Sequence, residues 1–184
     1  MIFRHRWLLC QTIQRWSWRN VSRNNPQPVR YRAESKVLLT QKIDTPEYRA
    51  ILTAPLLKLA EIFKKNQHEI RIAGGAVRDL LMGIVPHDID FATTATPEQM
   101  KTMLNQESIR MINCNGEKHG TITARVDDQT NFEITTLRVD LLTDGRHAVV
   151  QYTQDWYLDA SRRDLTINAL FLGKSIVNIH FIFS

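Results

Sequence analysis

Apolar side chains recur along this chain with two different periods, and the period separates predicted helices from predicted strands. Residues 45–66 carry apolar side chains at helical spacing, which predicts one helix that begins at a Thr-Pro signal and breaks near Pro55. Residues 97–106 show the same spacing, with Thr96 as the predicted N-cap. Short apolar runs predict five strands, at residues 69–73, 87–93, 108–113, 120–126 and 131–139.

Turn-forming residues separate these predicted elements. The sequence GGAVRDLLMG predicts a short helix that ends at Gly83, and DDQT at residues 127–130 predicts a hairpin between two strands. Residues 140–146 are predicted as a loop, and residues 155–170 as a segment containing a helix that carries SRRDLTINAL. Helices therefore accompany a small mixed sheet, which predicts an α+β or α/β architecture.

The positive charge of the chain is concentrated at its N-terminus. Residues 1–33 contain seven of the 24 basic residues and none of the 19 acidic ones. The formal charge of +5 therefore belongs to this leader and does not indicate an RNA-binding face on the folded part. A length of 184 residues with 43% hydrophobic composition is enough for one folded domain.

The leader itself has a recognisable composition. Arginines interleaved with apolar and aromatic side chains are typical of a mitochondrial transit peptide, and residues 1–36 are predicted as such a peptide followed by a disordered linker. A disordered basic tail or an upstream translated segment is the alternative. The apolar runs are too short to span a bilayer, so no membrane partner is expected. Because Cys10 lies in the leader and Cys114 in the body, we expect no disulfide and a reducing compartment.

Two aspartates separated by one isoleucine are the first candidate for chemistry. On a strand, Asp88 and Asp90 would project from one face while Ile89 and Phe91 enter the other. Two adjacent carboxylates repel each other unless a cation lies between them, and hard oxygen ligands suit Mg²⁺ with a substrate phosphate. A lone D-x-D is also typical of a solvated acidic turn, which is the alternative.

Glu133 supplies a third candidate carboxylate. It lies in the predicted strand at residues 131–139, whose other side chains look core-forming, so the charge requires a partner or a metal. Three carboxylates on neighbouring strands would hold two metal ions, one activating an attacking hydroxyl and one bracing a triphosphate. An edge-strand glutamate in water is the alternative.

The paired glycines upstream predict a phosphate site. Gly74 and Gly75 mark a strand-to-helix turn that something bulky can approach, and Arg78 lies at the start of the following helix, where N–H groups favour phosphate. Asp79 follows directly and is placed to orient an arginine. Taken alone, paired glycines also mark ordinary turns.

The segment SRRDLTINAL carries a second polar set. If its polar residues face a cleft, we expect an arginine, Arg162 or Arg163, to bind triphosphate and Asn168 to bind a sugar hydroxyl or base edge. A capped surface helix with solvated arginines is the alternative. Three further residues lie in predicted loops near glycines and either line the site or face solvent: His119, Arg146 and His147.

Taken together, the motifs RIAGGAVRDLL, DIDFATTATPEQM, GEKHGTITA, FEITTLR, TDGRHA and RRDLTINAL resemble the head domain of class II tRNA nucleotidyltransferases, the CCA-adding enzymes. The resemblance covers roughly residues 45–172 and is closest to the eukaryotic mitochondrial type. It implies a polymerase-β-like nucleotidyltransferase head, which we assign to residues 37–172. It also implies that CMP, CMP and AMP are added to tRNA 3′ ends from CTP and ATP with Mg²⁺.

The resemblance further implies residue roles and a location. Asp88 and Asp90 are expected to bind Mg²⁺, and together with Glu133 they form the expected catalytic set. Six residues are expected to contact the nucleotide: Gly74, Gly75, Arg78, Arg163, Asp164 and Asn168. The expected location is the mitochondrion, with cytoplasm and nucleus as further sites known for the family.

The resemblance stops after Leu172. The family continues into a neck whose E-D-x-x-R segment selects the base, whereas this chain continues GKSIVNIHFIFS. Residues 173–184 are therefore expected to form a divergent tail that is prone to aggregation if exposed. We expect a truncated form with impaired or no activity. The alternatives are a poly(A) polymerase-type RNA adenylyltransferase and a non-catalytic truncated product.

Overall fold

The computed structural model describes residues 38–112, 119–143, 148–163, 166–173 and 178–182. The predicted leader lies outside these ranges, and its expected role stays a prediction. Four residues of the folded part that were discussed above also lie outside these ranges: Cys114, Arg146, His147 and Asp164.

Within these ranges, ten strands form one large mixed sheet and one small hairpin. In chain order they are β1 (Leu38–Lys42), β2 (Ile70–Ala73), β3 (Asp90–Thr93), β4 (Arg110–Ile112), β5 (Thr121–Val126), β6 (Thr130–Thr136), β7 (Arg138–Thr143), β8 (Ala148–Tyr152), β9 (Leu170–Gly173) and β10 (Asn178–Ile182). The large sheet has the order β1-β10-β9-β2-β3-β6-β5-β4, and β7 pairs with β8 alone. Within the large sheet β3 and β6 run parallel, and the other neighbours are antiparallel.

Five α-helices accompany the strands in the described residues: α1 (Pro46–Ile51), α2 (Ala54–Lys65), α3 (Gly75–Leu81), α4 (Pro97–Gln106) and α5 (Trp156–Ser161). The predicted break near Pro55 is confirmed, because Thr53 is extended and begins a second helix in which Pro55 occupies the first turn. The predicted cap of α4 is also confirmed, as the Thr96 side chain and Gln99 form a capping box. In the part of the chain that the structure describes, no helix has the length and apolar character that a membrane crossing requires.

The sheet has a core on each face. Helices α1 to α4 pack on one face, and their buried side chains meet alternate strand residues such as Ile72, Phe91 and Ile134. The intervening residues face the other side, where Ala73 and Ala92 join a smaller cluster with α5. This mixed sheet flanked by helices confirms the predicted fold class.

Several predicted strand limits were wrong. The predicted strand at residues 131–139 is interrupted at Leu137, a buried residue whose N–H donates to the Thr93 carbonyl where the chain leaves the large sheet. The predicted loop at residues 140–146 begins inside β7, which extends to Thr143. The predicted hairpin is confirmed, and both aspartates of DDQT adopt φ of 53° as a tight primed turn requires.

The C-terminal segments also differ from the prediction. SRRDLTINAL does not form one helix: α5 ends at Ser161, a 3₁₀ turn covers Thr166–Asn168, and β9 begins at Leu170. The expected tail at residues 173–184 contributes β10, whose backbone pairs with β1 on one side and β9 on the other. The part of the expected tail that forms β10 therefore belongs to the large sheet.

Candidate active site

The turn between β2 and α3 depends on Gly74. This residue has φ of 67° and ψ of −127°, a conformation that residues with a Cβ rarely adopt. A Cβ at this position would lie 3.7 Å from Nη1 of Arg163 and 3.8 Å from the Asn168 carbonyl oxygen. The sequence analysis predicted that a bulky group approaches this turn. The guanidinium of Arg163 makes such an approach at Gly74.

The neighbouring glycine borders a second arginine. A Cβ on Gly75 would lie 3.6 Å from Nη2 of Arg78. Nε and Nη2 of Arg78 donate to Oδ1 of Asp79 at 2.9 and 2.8 Å, so Asp79 orients this arginine as predicted. The two glycines thus place two guanidinium groups at one turn.

Strand pairing brings two of the predicted carboxylates to this turn. Asp90 opens β3 and lies opposite Ala73, the residue before Gly74. On its other side, Asp90 pairs in register with Glu133 of the parallel strand β6. Both residues keep part of their surface exposed, while the next residue on each strand is buried among the helices. Asp90 and Glu133 therefore share the face that carries α5. Glu133 lies on an internal strand, so the edge-strand alternative is wrong.

Asp88 occupies a different position from the one predicted. It lies in a bend before β3, because the strand begins at Asp90 and not at residue 87. Strand alternation therefore does not place its side chain. The carboxylate is 86% exposed and its Oδ1 lies 3.1 Å from Nδ1 of His87.

The electrostatics of Asp90 show that the charged groups converge. Partial burial raises the pKa of Asp90 most, the negative charges of Glu133 and Asp88 raise it further, and the positive charge of Arg163 opposes them. The charges of Glu133, Asp88 and Arg163 therefore all act on the carboxyl group of Asp90.

The carboxylates of this site fit a metal ion that takes its remaining ligands from water and substrate. Within the described ranges, no group of three or more His, Cys, Asp or Glu side chains is arranged to hold a metal ion on its own. Mg²⁺ usually binds through one or two carboxylates and completes its shell with water and substrate phosphates. The repelling carboxylates beside two arginines match that mode of binding.

Arg163 is held by a residue that the sequence analysis did not single out. Nε and Nη2 of Arg163 donate to Oδ2 of Asp159 at 3.2 and 2.9 Å, and Nη1 donates to the Asn168 carbonyl at 3.1 Å. The guanidinium also lies 5.1 Å from the ring centre of Phe171. The observed contact of Asn168 is thus made by its backbone, and the predicted role of its side chain stays a prediction.

Asp159 holds more than one arginine. Its Oδ1 accepts from Nε and Nη2 of Arg162 at 2.9 and 2.8 Å and from the backbone N–H of Arg138 at 3.1 Å. Only 1% of Asp159 is exposed. The spacing of Asp159 three and four residues before the arginines on a helix was the signal available in the sequence.

Arg138, which also contacts Asp159, is a second residue that the sequence analysis did not single out. Burial lowers its pKa most, and the nearby positive charge of Arg162 lowers it further. Its Nη1 donates to the carbonyl of His119, whose exposed ring was a predicted site-lining group. The backbone of His119 thus contacts Arg138, and a site-lining role for its ring stays a prediction.

Comparison with known proteins identifies the family of this chain. A family model described as Poly A polymerase head domain matches residues 70–182. The chain belongs to this family. The match contains β2, the glycine turn, both strands that carry Asp90 and Glu133, and α5. It also extends to the end of β10, beyond the point where the sequence resemblance was expected to stop.

The relatives of this head domain are named for one activity. It is 63% identical over 138 residues to CCA tRNA nucleotidyltransferase 1, mitochondrial, of Danio rerio, with 75% of this chain and 32% of the relative covered. The Homo sapiens protein of the same name is 63% identical over 136 residues, covering 74% and 31%. The head domain thus spans about a third of the length of the curated relatives that it matches.

A solved structure gives the same result for the fold. The crystal structure of Bacillus stearothermophilus CCA-adding enzyme in complex with CTP matches with a TM-score of 0.61 and 28% sequence identity. The match covers 76% of this chain and 31% of that chain. The predicted resemblance to CCA-adding enzymes is therefore confirmed.

Proposed function

We propose that this head domain binds a nucleoside triphosphate with Mg²⁺ and carries the nucleotidyl-transfer site of a CCA-adding tRNA nucleotidyltransferase. The whole protein would add CMP, CMP and AMP to tRNA 3′ ends from CTP and ATP. The names of the relatives and the CTP complex of a similar structure support this proposal.

The position of Arg163 is the observation that carries the proposal. Its guanidinium borders Gly74, while its charge acts on the carboxylate of Asp90. A polyphosphate that contacts Arg163 therefore lies beside the carboxylates. This arrangement suits an anionic substrate whose charge is shared between arginines and a metal held by aspartates.

Each group has a defined task in the transfer. Arg78 and Arg163 would bind the phosphates, Asp88 and Asp90 would hold Mg²⁺, and Glu133 would act as the additional carboxylate facing the RNA 3′ hydroxyl. Mg²⁺, when bound, would polarise the phosphate and lower the pKa of the attacking hydroxyl. The 3′ hydroxyl would give up its proton to a carboxylate of the site, and its oxygen would form a bond to the α-phosphorus. The bond from that phosphorus to the oxygen bridging it to the β-phosphorus would break, and pyrophosphate would leave with the electron pair of that bond.

The proposal extends to location and partners. The mitochondrial names of the relatives and the arginine-rich leader support a mitochondrial protein. tRNA, CTP and ATP are the proposed partners. Asp164 and the side chain of Asn168 are proposed as further nucleotide contacts, on the resemblance and on the polar pattern of SRRDLTINAL.

An RNA adenylyltransferase of the poly(A) polymerase type is the second candidate. The description of the matching family model favours it, because that description names a poly(A) polymerase. The two functions differ in nucleotide and acceptor: the first uses CTP before ATP on tRNA, whereas the second uses ATP alone on general RNA.

Nucleotide transfer tests the proposal. The chain is incubated with Mg²⁺, labelled CTP or ATP, and either a tRNA that lacks its CCA end or an unrelated RNA. CMP transfer to the tRNA, lost in Asp90→Asn and retained in Asp127→Asn, supports CCA addition. Extension of both RNAs by ATP alone supports the second candidate. Failure to transfer either nucleotide, together with failure to bind CTP, would contradict both.

A further inference from the structure

Two arginines lie directly opposite each other at the end of the large sheet. Arg110 of β4 pairs in register with Arg125 of β5. On the neighbouring strand β6, Arg125 faces Asn131, and Thr123, two residues before Arg125, faces Glu133. Because side chains alternate along a strand, both arginines project from the face that carries the candidate active site.

This arginine pair is open to an external partner. Ala124 and Val126, the neighbours of Arg125 on the strand, are buried on the helical side. Arg110 is exposed, and Arg125 is partly exposed with its Nε donating to the backbone carbonyl of Asp128 at 3.1 Å. Among the residues that the structure describes, neither guanidinium forms an ion pair with a carboxylate.

Such an arrangement has a cost that a bound anion removes. Like charges directly opposite each other on adjacent strands destabilise a sheet. Guanidinium groups bind phosphate through paired N–H donors, and a phosphate between them would replace repulsion by attraction. The pair therefore favours a phosphate-bearing partner.

The location of the pair selects the partner. Arg125 lies on the strand next to that of Glu133, which separates the two positions by about 5 Å across the sheet. Along the strand it lies two residues beyond the partner of Glu133, which adds about 7 Å in that direction. A helical nucleic-acid strand advances about 3.4 Å per nucleotide. The distance from the carboxylates to the arginines thus corresponds to two or three nucleotides.

We propose that Arg110 and Arg125 form a docking surface for the phosphate backbone of the RNA strand whose 3′ end enters the site. This inference rests on the proposed function, since it assumes that an RNA 3′ hydroxyl reaches Glu133. The carboxylates repel an approaching RNA backbone. Cations on the same face two or three nucleotides upstream offset that repulsion and align the strand.

Binding of a fluorescein-labelled tRNA acceptor minihelix without CCA, followed by anisotropy, tests the proposal on the full chain. The test variant is Arg110→Thr/Arg125→Thr, since threonine suits a strand. Arg49→Ala/Lys64→Ala is the control, because it removes two positive charges from exposed ion pairs on α1 and α2. The arginine-rich leader is unchanged in all three proteins, so its contribution to RNA binding is common to them.

The test variant is expected to bind the minihelix about tenfold more weakly than the control, with a salt slope smaller by about 1.8, as loss of two phosphate contacts to a duplex predicts. Its melting temperature is expected not to fall, because removing the arginines removes their repulsion. Its affinity for CTP with Mg²⁺ is expected to stay unchanged.

Three outcomes would overturn parts of this account. Equal minihelix affinity in the test and control variants, with normal CTP binding, would contradict the docking surface alone. Poly-L-glutamate binding that depends on the same arginines as strongly as RNA binding does would indicate an acidic protein partner and would also contradict it. Lack of Mg²⁺-dependent CTP binding by the unchanged chain would contradict the proposed function.

Discussion

The buried carboxylate of Asp159 holds Arg163 through two hydrogen bonds, from Nε at 3.2 Å and from Nη2 at 2.9 Å. One edge of the guanidinium is thereby fixed, and Nη1 is fixed by the Asn168 carbonyl at 3.1 Å. An arginine restrained in this way loses little side-chain entropy when it binds a phosphate. Asp159 thus connects helix α5 to the glycine turn and to the carboxylate site.

Asp159→Asn is predicted to release Arg163 selectively. The amide oxygen is expected to take the place of Oδ1, which accepts three hydrogen bonds, so the amide N–H₂ faces the donors of Arg163. We expect the free energy of unfolding to fall by about 2–3 kcal/mol, as for loss of hydrogen bonds to a charged group, and CTP affinity to fall. Urea unfolding and calorimetric titration with CTP and Mg²⁺ measure these changes.

A double-mutant cycle separates positioning from stability. If Asp159 acts on CTP through Arg163, the loss in CTP affinity from Asp159→Asn disappears in an Arg163→Gln background. Additive losses would contradict this role. Asp127→Asn is the matched control, because it removes one carboxylate from an exposed ion pair with Lys58 and is expected to leave CTP affinity unchanged.

Asp90→Asn is predicted to stabilise the protein near neutral pH in the absence of metal. The pKa of Asp90 is raised above its ordinary value of 3.8, so the folded state binds a proton more readily than the unfolded state. The free energy of unfolding therefore falls as the pH rises from 3.8 through the raised pKa, and the neutral amide removes this fall. Urea midpoints from pH 4 to pH 7 in a chelating buffer provide the measurement.

Asp44→Asn is the control of opposite sign for this pH dependence. The Arg49 side chain lowers the pKa of Asp44 through its hydrogen bond and its charge. The stability from this pair is present above the ordinary pKa and decreases as the pH falls through the lowered value. Asp44→Asn is therefore expected not to raise the urea midpoint. A rise equal to that of Asp90→Asn would contradict the explanation that Asp90 is destabilised by its surroundings in the site.

The two adjacent glycines are predicted to differ in their tolerance of alanine. Gly74→Ala is expected to cost about 1–3 kcal/mol, because its φ of 67° and ψ of −127° are unfavourable for a residue with a Cβ. Gly75→Ala is expected to be neutral or stabilising by up to about 1 kcal/mol, since Gly75 begins α3 and the new Cβ has only an ordinary contact with Arg78. Urea midpoints of the two variants, compared side by side, test this difference, and equal effects would contradict it.

Gly173→Ala is predicted to disturb the support of α5. A Cβ on Gly173 would overlap Cγ of Arg71, which must then move. The Arg71 guanidinium lies 3.9 Å from the ring centre of Trp156 at the start of α5. We expect a loss of about 1–3 kcal/mol from overpacking, measured by urea unfolding. Arg71→Ala removes the contacts with Cγ and Cδ and leaves the tight contact with Cβ at 3.0 Å. The cost of Gly173→Ala should therefore shrink in that background, and an undiminished cost would contradict this explanation.

Local signals in the sequence were sufficient for some features of the fold. The capping box at Thr96, the helix start at Pro55 and the hairpin at Asp127 depend on residues within four positions of each other. Alternation along β6 was likewise enough to place Glu133 on one face of the sheet and the buried Ile134 on the other. Short-range geometry determines all of these.

Features that depend on distant partners were not predictable. Strand β10 pairs with β1, more than 130 residues earlier, and no local period shows this pairing. The interruption at Leu137 reflects its burial against the second face, and the hydrogen bond from the Arg138 N–H to Asp159 joins two segments that no local pattern connects. Long-range packing determines these positions, and single-sequence patterns do not record it.

Calorimetric titration of CTP into the full chain, with and without Mg²⁺, tests the central claim most directly. The account predicts saturable binding that requires Mg²⁺, is lost in Asp90→Asn and is weakened in Arg163→Gln, while Asp127→Asn binds normally. Binding of the same affinity without Mg²⁺, or in Asp90→Asn, would contradict a site in which the carboxylates of β3 and the arginine of α5 share one metal-bound triphosphate.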